Sequence, residues 1–357
     1  MKKQVTIREI AAEAGVSTGT VHRAIRGKKG VSDNVRSRIL DICAKRGYNA
    51  NTRKRRAVQI AAAFPGIDDK NSLFYGDVWR GFRRCIAELH EYNLNVVELP
   101  YYSDPERSQS EILFSCFKKY GEELDAIITV GHFDTLCGRV LRICSEHGIP
   151  IFLVCDDQAD CGRLACVQAN HYMSGSIAAE LLASQLPSNS VILLCAGNPN
   201  IPSHSLTVTG FEDYLVGNNI PLRLMKLYGY ENESELRIQI FEALDKNPEI
   251  TGAFSVSARL SILLAKEVND LHRERHIRVI ASDLCQETIE YMERDIVKNT
   301  IYKNPELQAY RATRLMCGYL LRGEQPRQPV EYVDSTVVFR SSLEHYRTGG
   351  YDPWDCD

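Results

Sequence analysis

No stretch of the 357-residue chain approaches the roughly 20 consecutive apolar residues of a membrane-spanning helix, so no membrane partner is expected. The opening Met1-Lys2-Lys3-Gln4-Val5-Thr6 carries no apolar core of a signal peptide, and a cytoplasmic protein is the expectation. Cysteine is plentiful at 12 residues, yet no two stand in C-x-x-C spacing. They scatter through apolar segments such as Leu193-Leu194-Cys195 and Leu315-Met316-Cys317, which reads as reduced thiols serving as small buried hydrophobes. Cys155, Cys161 and Cys166 stand beside Asp156, Asp157 and Asp160, but neither their spacing nor a nearby histidine follows a known metal-ligand pattern. G-x-G-x-x-G, a Walker loop and G-x-S-x-G are all missing, and His132, His171 and His204 have no evident nucleophile or base beside them. Neither an enzyme nor a cofactor is expected. The tail 341–357 has no sustained apolar heptad, so no tetramerising helix is expected there.

What is present is an uneven charge. Residues 1–57 hold 15 Lys and Arg against 4 Asp and Glu, while the remaining 300 residues hold 28 against 42, so the overall −3 hides a basic head on an acidic body. Segregation of this kind suits a polyanion at the head and a different partner for the body.

Residues 5–25 of the head read as two short helices around a tight turn. Thr6 is a good N-cap, and Glu9 can complete a capping box. Ile7, Ile10 and Ala11 form an apolar i, i+3, i+4 face. Gly15 stands where the helix must stop in a left-handed residue, and Ser17 can cap a second helix that buries Val21 and Ile25. Thr18, Gly19, His22, Arg23 and Arg26 point outward, all small, polar or basic, as a helix entering a major groove requires. Without the charge split, a helical hairpin with a solvated basic face is the plainer reading; with it, DNA binding is favoured. A third helix follows, with Ser32 as cap and Val35, Ile39, Leu40 and Cys43 on its buried side. Arg36 and Arg38 lie on its outer side as phosphate contacts, and Gly47 ends it.

Residues 5–48 resemble the DNA-binding headpiece of the lactose-repressor (LacI/GalR) family of bacterial transcription regulators. The matching residues are Val5-Thr6-Ile7, Ile10-Ala11, Ala14-Gly15-Val16-Ser17, Thr20-Val21, Arg23, Val31-Ser32, Val35-Arg36 and Gly47-Tyr48. The resemblance implies that Ser17, Thr18, Gly19 and Arg23 face DNA, with Arg23 a candidate for bidentate contact to guanine. The family commonly has Ser where His22 stands and a larger side chain where Gly19 stands, which bears on the operator sequence. The full set of candidate DNA contacts is Thr6, Ser17, Thr18, Gly19, Thr20, His22, Arg23, Ser32, Arg36, Arg53, Arg55 and Arg56. The last three belong to a basic linker, 49–57, which lacks the leucine that the family's hinge helix wedges into the minor groove. This arm either tracks phosphates and enters a narrow minor groove or is a solvated tether.

From Val58 the pattern alternates strand and helix, with strands expected at 58–64, 95–99, 126–130, 150–154, 191–195, 222–227, 253–256, 279–282, 300–302, 330–333 and 336–339. Near-continuous apolar strands of this kind predict an α/β fold of doubly wound parallel sheets, following an all-α helix-turn-helix head of residues 1–48. The two halves resemble the type I periplasmic-binding-protein fold of the family's effector domain. Landmarks lie at Gly81, Asp125-Ala126-Ile127-Ile128, Gly148-Ile149-Pro150, Gly175, Gly210-Phe211 and Ser282-Asp283. That fold implies three crossings between lobes, expected near Arg163, Leu284 and Gly323. Lobe 1 is then about 58–162 and 285–323, and lobe 2 about 163–284 and 324–340.

Ligands of such sheets sit at the carboxyl ends of strands, in the cleft between lobes. The candidate ligand contacts are Phe74, Tyr75, Asp157, Thr207, Ser257, Arg259, Asp283 and Lys303. Phe74 and Tyr75 match the family's paired aromatics, although core packing is preferred for Tyr75. A carboxylate such as Asp157 suits two hydroxyls of a polyol, and Asp283 is either a ligand contact or a helix cap. Thr207, Ser257 and Lys303 stand where the family usually has Arg, Asn and Gln. Arg259 and Lys303 would suit a sugar acid or sugar phosphate, while salt bridges to neighbouring acids account for them equally well. The resemblance thus implies a homodimeric repressor that binds double-stranded operator DNA under control of a sugar-like effector. A transport binding protein shares the cleft but has no use for the basic head.

Overall fold

The structure, a computed structural model, describes residues 7–25, 31–46, 57–67, 72–102, 104–131, 135–229 and 232–347. Thr6, Arg26, Arg53, Arg55, Arg56, His132 and the tail beyond residue 347 lie outside the described residues, as does the side chain of His22. The chain divides into two compact units, Met1–Ala57 and Val58–Asp357.

The first unit has helices α1 (Ile7–Ala14), α2 (Thr18–Ile25) and α3 (Asp33–Lys45). Ile10, Val21 and Ile39 are fully buried at its centre, with Ala11, Ala14, Ala24 and Cys43 around them. At about 1.5–3 kcal/mol for each fully buried aliphatic side chain, those three carry much of what holds so small a unit together. Gly15 takes φ +63° between α1 and α2, with open space where a Cβ would stand. The Oγ of Ser17 accepts the N–H of Thr20 at 3.1 Å, which caps α2. Leu40, expected on the buried side of α3, is 46% exposed. It neighbours the buried Ile39 on the helix and so falls off the inward stripe. Arg38 is also reassigned: its guanidinium donates to the carbonyl of Ala14 at 2.8 Å and satisfies the open end of α1.

The second unit begins with β1 (Val58–Ala63), α4 (Ser72–Glu88), β2 (Leu94–Glu98), α5 (Gln109–Tyr120), β3 (Ala126–Val130), α6 (Thr135–Glu146), β4 (Ile151–Val154) and β5 (Ala165–Ala169). It continues with α7 (His171–Gln185), β6 (Val191–Gly197), α8 (Pro202–Gly217), β7 (Arg223–Tyr228), α9 (Glu233–Lys246), β8 (Ile250–Ser255), α10 (Ala258–Asp270) and β9 (Arg278–Ser282). The closing elements are α11 (Gln286–Glu293), β10 (Val297–Tyr302), α12 (Pro305–Arg322), β11 (Val330–Val333), β12 (Thr336–Phe339) and α13 (Leu343–Arg347). They build two six-stranded sheets, in the orders β2-β1-β3-β4-β5-β11 and β7-β6-β8-β9-β10-β12. Every pairing is parallel except β10 with β12, where Thr300 stands opposite Val338. All five residues of β3 and all seven of β6 are buried, as expected of strands covered on both faces.

The lobe assignment differs from the expectation. β5 lies in the first sheet and β10 in the second, while β11 returns to the first. The crossings therefore fall at 169–171, 302–305 and 333–336, not near Arg163, Leu284 and Gly323. The cause is that β5 and α11 were not foreseen. β5 is Ala-Cys-Val-Gln-Ala, with one β-branched residue and a Gln, and α11 is a single eight-residue helix. Each omission shifts the count of elements per lobe. The first and third crossings are tied by a hydrogen bond between the hydroxyls of Ser174 and Ser335, 2.9 Å apart.

Within the second lobe α7 and α8 pack backbone to backbone. A Cβ on Gly175 would stand 1.9 Å from the carbonyl oxygen of Thr207, and one on Gly210 1.9 Å from that of Tyr172. Glycine is required at both positions by close approach.

Candidate functional site

On the first unit, Ser17, Thr18, Gly19 and Arg23 are exposed along the start and middle of α2, while Thr20 is half-buried with its hydroxyl 3.0 Å from that of Ser17. A Cβ at Gly19 would have the Ser17 hydroxyl as nearest atom at 3.8 Å, so the small face at this point is open. Ser32 is exposed, and its carbonyl takes the N–H of Arg36; the Arg36 side chain is half-buried. The described side chains exposed at the start and middle of α2 are thus hydroxyls and one guanidinium beside a glycine, which suits phosphate and base-edge contacts.

In the second unit each sheet has a switch point where the strand order reverses, between β1 and β3 in one lobe and between β6 and β8 in the other. At the first, Gly131 follows β3, and a Cβ there would stand 1.8 Å from the carbonyl oxygen of Asp156, the residue after Cys155 at the end of β4. At the second, Gly197 ends β6 at φ +68°, and a Cβ would meet His204 Nδ1 at 2.5 Å. Both switch points are therefore drawn tight against a neighbouring polar residue.

The second lobe's strand ends carry a buried charge pair. Asp283, just past β9, adopts φ +65° and is 4% exposed; Lys303, just past β10, is 5% exposed. The Lys303 ammonium donates to Asp283 Oδ2 at 2.9 Å and to the Val256 carbonyl at 3.2 Å, and its backbone N–H reaches Asp283 Oδ1 at 3.3 Å. The carbonyl of Asp283 takes the Thr300 hydroxyl at 2.5 Å. Asp283 is thus neither a helix cap nor a free carboxylate: it holds Lys303 across two strand ends. Arg259 likewise pairs with Glu233 at 3.4 Å. Lys303 is thereby committed to Asp283, whereas Arg259 is tied through Nη2 to a more exposed glutamate.

His171 opens α7 directly after β5, and its Nε2 lies 3.0 Å from the carbonyl of Cys155. His204, in the first turn of α8, accepts the Asn198 N–H at Nδ1 over 3.2 Å. Burial, with Lys303 and His171 adding to it, lowers the His204 imidazole to about 3. His171 is lowered too, by burial first and by Lys303, against the opposing pull of Asp156 and Asp283. Burial also pushes the Cys155 thiol well up, helped by Asp156 and Asp283. By geometry, His171 at the start of α7 reaches the carbonyl that follows β4, while Asp283 and Lys303 join the ends of β9 and β10. From the rim, Asp77 on α4 pairs with Arg80, and Arg80 with Glu306 at 2.7 Å. Burial raises the Asp77 carboxyl to about 6, Arg80 opposing and Glu306 reinforcing.

The remaining sequence candidates divide. Phe74 and Tyr75 lie edge to face with centroids 5.2 Å apart, half-buried on α4 against the core of lobe 1. Asp157 is committed to the Arg163 guanidinium, which donates through Nε to Oδ1 and through Nη2 to Oδ2 at 2.6 Å. Its neighbour Asp156 instead has a buried Oδ1 with no hydrogen-bond partner. Thr207 is fully buried, and its hydroxyl bonds back to Ser203 in its own helix at 2.7 Å, so its side chain is not offered to the cleft. Ser257 precedes α10 at the end of β8, with its hydroxyl oxygen buried and unpartnered. His171, His204 and Asp156, which the structure places near the strand ends, were not among the sequence candidates for ligand contact. The available signal was a histidine or acid within a few residues of a strand's carboxyl end.

A helix-turn-helix unit followed by two facing doubly wound lobes defines a ligand-binding domain coupled to a DNA-binding head. Residues 123–325 match the family model described as periplasmic binding protein domain, and residues 6–51 match that of bacterial regulatory proteins, lacI family. The chain belongs to the periplasmic-binding-protein-domain family and carries the DNA-binding domain of the lacI regulators. It is similar to catabolite control protein A of Priestia megaterium, 22% identical over 341 residues that cover 94% of this chain and 96% of that one. Among solved structures it resembles GanP, a glucose-galactose binding protein from Geobacillus stearothermophilus. That match has TM-score 0.70 and 22% identity, over 81% of this chain and 99% of that one. A putative LacI transcriptional regulator from Bacteroides fragilis matches with TM-score 0.71 and 15% identity over 82% and 100%. No helix of the described residues is long and apolar enough to cross a membrane.

Proposed function

We propose that the protein is a cytoplasmic, homodimeric transcriptional repressor whose operator affinity is set by a small carbohydrate-like effector bound between the two lobes. The observation that carries this reading is the gathering of buried polar groups at the strand ends, where His171 meets the Cys155 carbonyl after β4 and Asp283 holds Lys303 at 2.9 Å after β9 and β10. A ligand that bridges these groups changes the relation of the lobes, and the three crossings transmit that change. GanP, named as a glucose-galactose binder, supports a sugar in this type of cleft. The head contributes the contacts Ser17, Thr18, Gly19, Thr20, Arg23, Ser32 and Arg36, with Arg23 reading a base edge and Arg36 a phosphate. Two heads on one dimer match a palindromic site. Phe74, Ser257 and Asp283 line or support the effector position; no reacting group is required of any residue, and the protein is not an enzyme.

The test is operator binding on a DNA fragment selected from random sequence, read with and without each member of a carbohydrate screen. A sugar that changes operator affinity supports the reading. Arg23→Ala should weaken operator binding by about 1–3 kcal/mol; an unchanged affinity would remove Arg23 from base contact. Sedimentation at micromolar concentration should give a dimer.

A further inference from the structure

Two buried acceptors at the meeting of the lobes have no donor among the described residues. The His171 imidazole is 7% exposed, and its Nε2 lies 3.0 Å from the Cys155 carbonyl. A carbonyl only accepts, so Nε2 carries the hydrogen, and the buried ring, with the Lys303 ammonium nearby, stays neutral. Nδ1 is therefore a bare lone pair, and it has no hydrogen-bond partner. Asp156 follows Cys155 directly, and its Oδ1 is a second buried acceptor without a partner. Nature rarely leaves such atoms unmet, because a buried unsatisfied acceptor costs free energy that a donor recovers.

The cations nearby are already paired with carboxylates. Lys303 is held on Asp283 and Arg259 on Glu233. His204 is neutral, and no cation pairs with Asp156 among the described residues. We infer that the effector is an uncharged polyhydroxy compound donating hydroxyls to His171 Nδ1 and Asp156 Oδ1, and that its carboxylated or phosphorylated counterparts are rejected. The inference rests on the carbohydrate reading of the cleft and narrows it. An anionic oxygen placed at either position meets a lone pair or a carboxylate with no hydrogen between them, whereas a hydroxyl satisfies both. His171 is thus a specificity-determining residue, fixed in its tautomer by the Cys155 carbonyl.

The experiment is titration calorimetry on the full chain at pH 7.5. The neutral probes are D-glucose, D-galactose, D-arabinose, D-allose and myo-inositol; the charged ones are D-gluconate, D-galactonate and D-glucose 6-phosphate. A neutral probe should bind at least about a hundredfold more tightly than its charged counterpart. His171→Gln keeps an N–H for Cys155 but moves the acceptor, and should weaken the neutral ligand by about tenfold or more. Nitrogen-15 spectra of the histidines need no variant: His171 should be neutral with a bare Nδ1 whose signal shifts when the sugar is added. Tighter binding of an acid, a hydrogen on Nδ1, or an unaltered affinity in H171Q would each overturn the inference while leaving a ligand-gated cleft. Silence of the whole panel would instead remove the carbohydrate reading beneath it.

Discussion

Acidification should destabilise the effector domain through His204, and the size follows from its surroundings. The imidazole is 5% exposed and lowered to about 3 by burial, with Lys303 and His171 adding to the effect. In the unfolded chain a histidine titrates near about 6.5, and each unit of difference corresponds to about 1.4 kcal/mol. Because the folded value lies below the unfolded one, the unfolded state takes up the proton first as pH falls. Stability is intact above about pH 6.5, and the loss grows until the folded histidine also titrates. At pH 5 the unfolded imidazole is protonated and the folded one is still neutral, which amounts to about 2 kcal/mol. His204→Asn offers an oxygen to the Asn198 N–H and cannot titrate. Urea unfolding of both proteins at pH 7.5 and 5.0 isolates the effect, since Asp77, raised to about 6, acts in the opposite direction in both and cancels. The wild type should lose about 2 kcal/mol more than the variant between the two pH values. Equal losses would refute the claim that His204 is held neutral by burial.

Lys303→Met should lower stability by about 3–5 kcal/mol, because it strands the Asp283 carboxylate in the interior; chemical denaturation at neutral pH measures it, and a neutral result would mean that Asp283 is solvated. Gly210→Ala places a methyl 1.9 Å from the Tyr172 carbonyl oxygen and must part α7 from α8. A cost of about 1–3 kcal/mol or more is expected in thermal unfolding of the second unit. Arg38→Ala should lower the melting temperature of the first unit by removing the hydrogen bond to Ala14. Since that bond is charged, about 1.5–3 kcal/mol is the upper range, lowered by its partial exposure.

Much of the architecture was legible because it is written in local pattern. Period-two and near-continuous apolar runs located eleven of the strands, β3, β11 and β12 to the residue. The helix-turn-helix was visible in Gly15 and Ser17 together with the charge split, since a left-handed turn and an N-cap depend on neighbours only a few residues away. β5 was not legible: Ala165-Cys-Val-Gln-Ala becomes a strand by pairing with β4 and β11, and those pairings are non-local. Missing it, together with α11, displaced the lobe crossings.

The site divides along the same line. Sequence determined that strand-end residues such as Asp283 and Lys303 would gather at a cleft, because a doubly wound sheet puts its loops there whatever their composition. Which of them remains available to a ligand was decided by the partners the fold gives each side chain. Asp157 is engaged by Arg163, and Lys303 by Asp283 twenty residues away. Thr207 is sealed against α7, while Asp156 and His171 are left with unmet acceptors. Two charges twenty residues apart are only composition until the fold sets them 2.9 Å apart in a site that excludes water; there, pairing cancels them and leaves hydrogen-bond geometry to select the ligand.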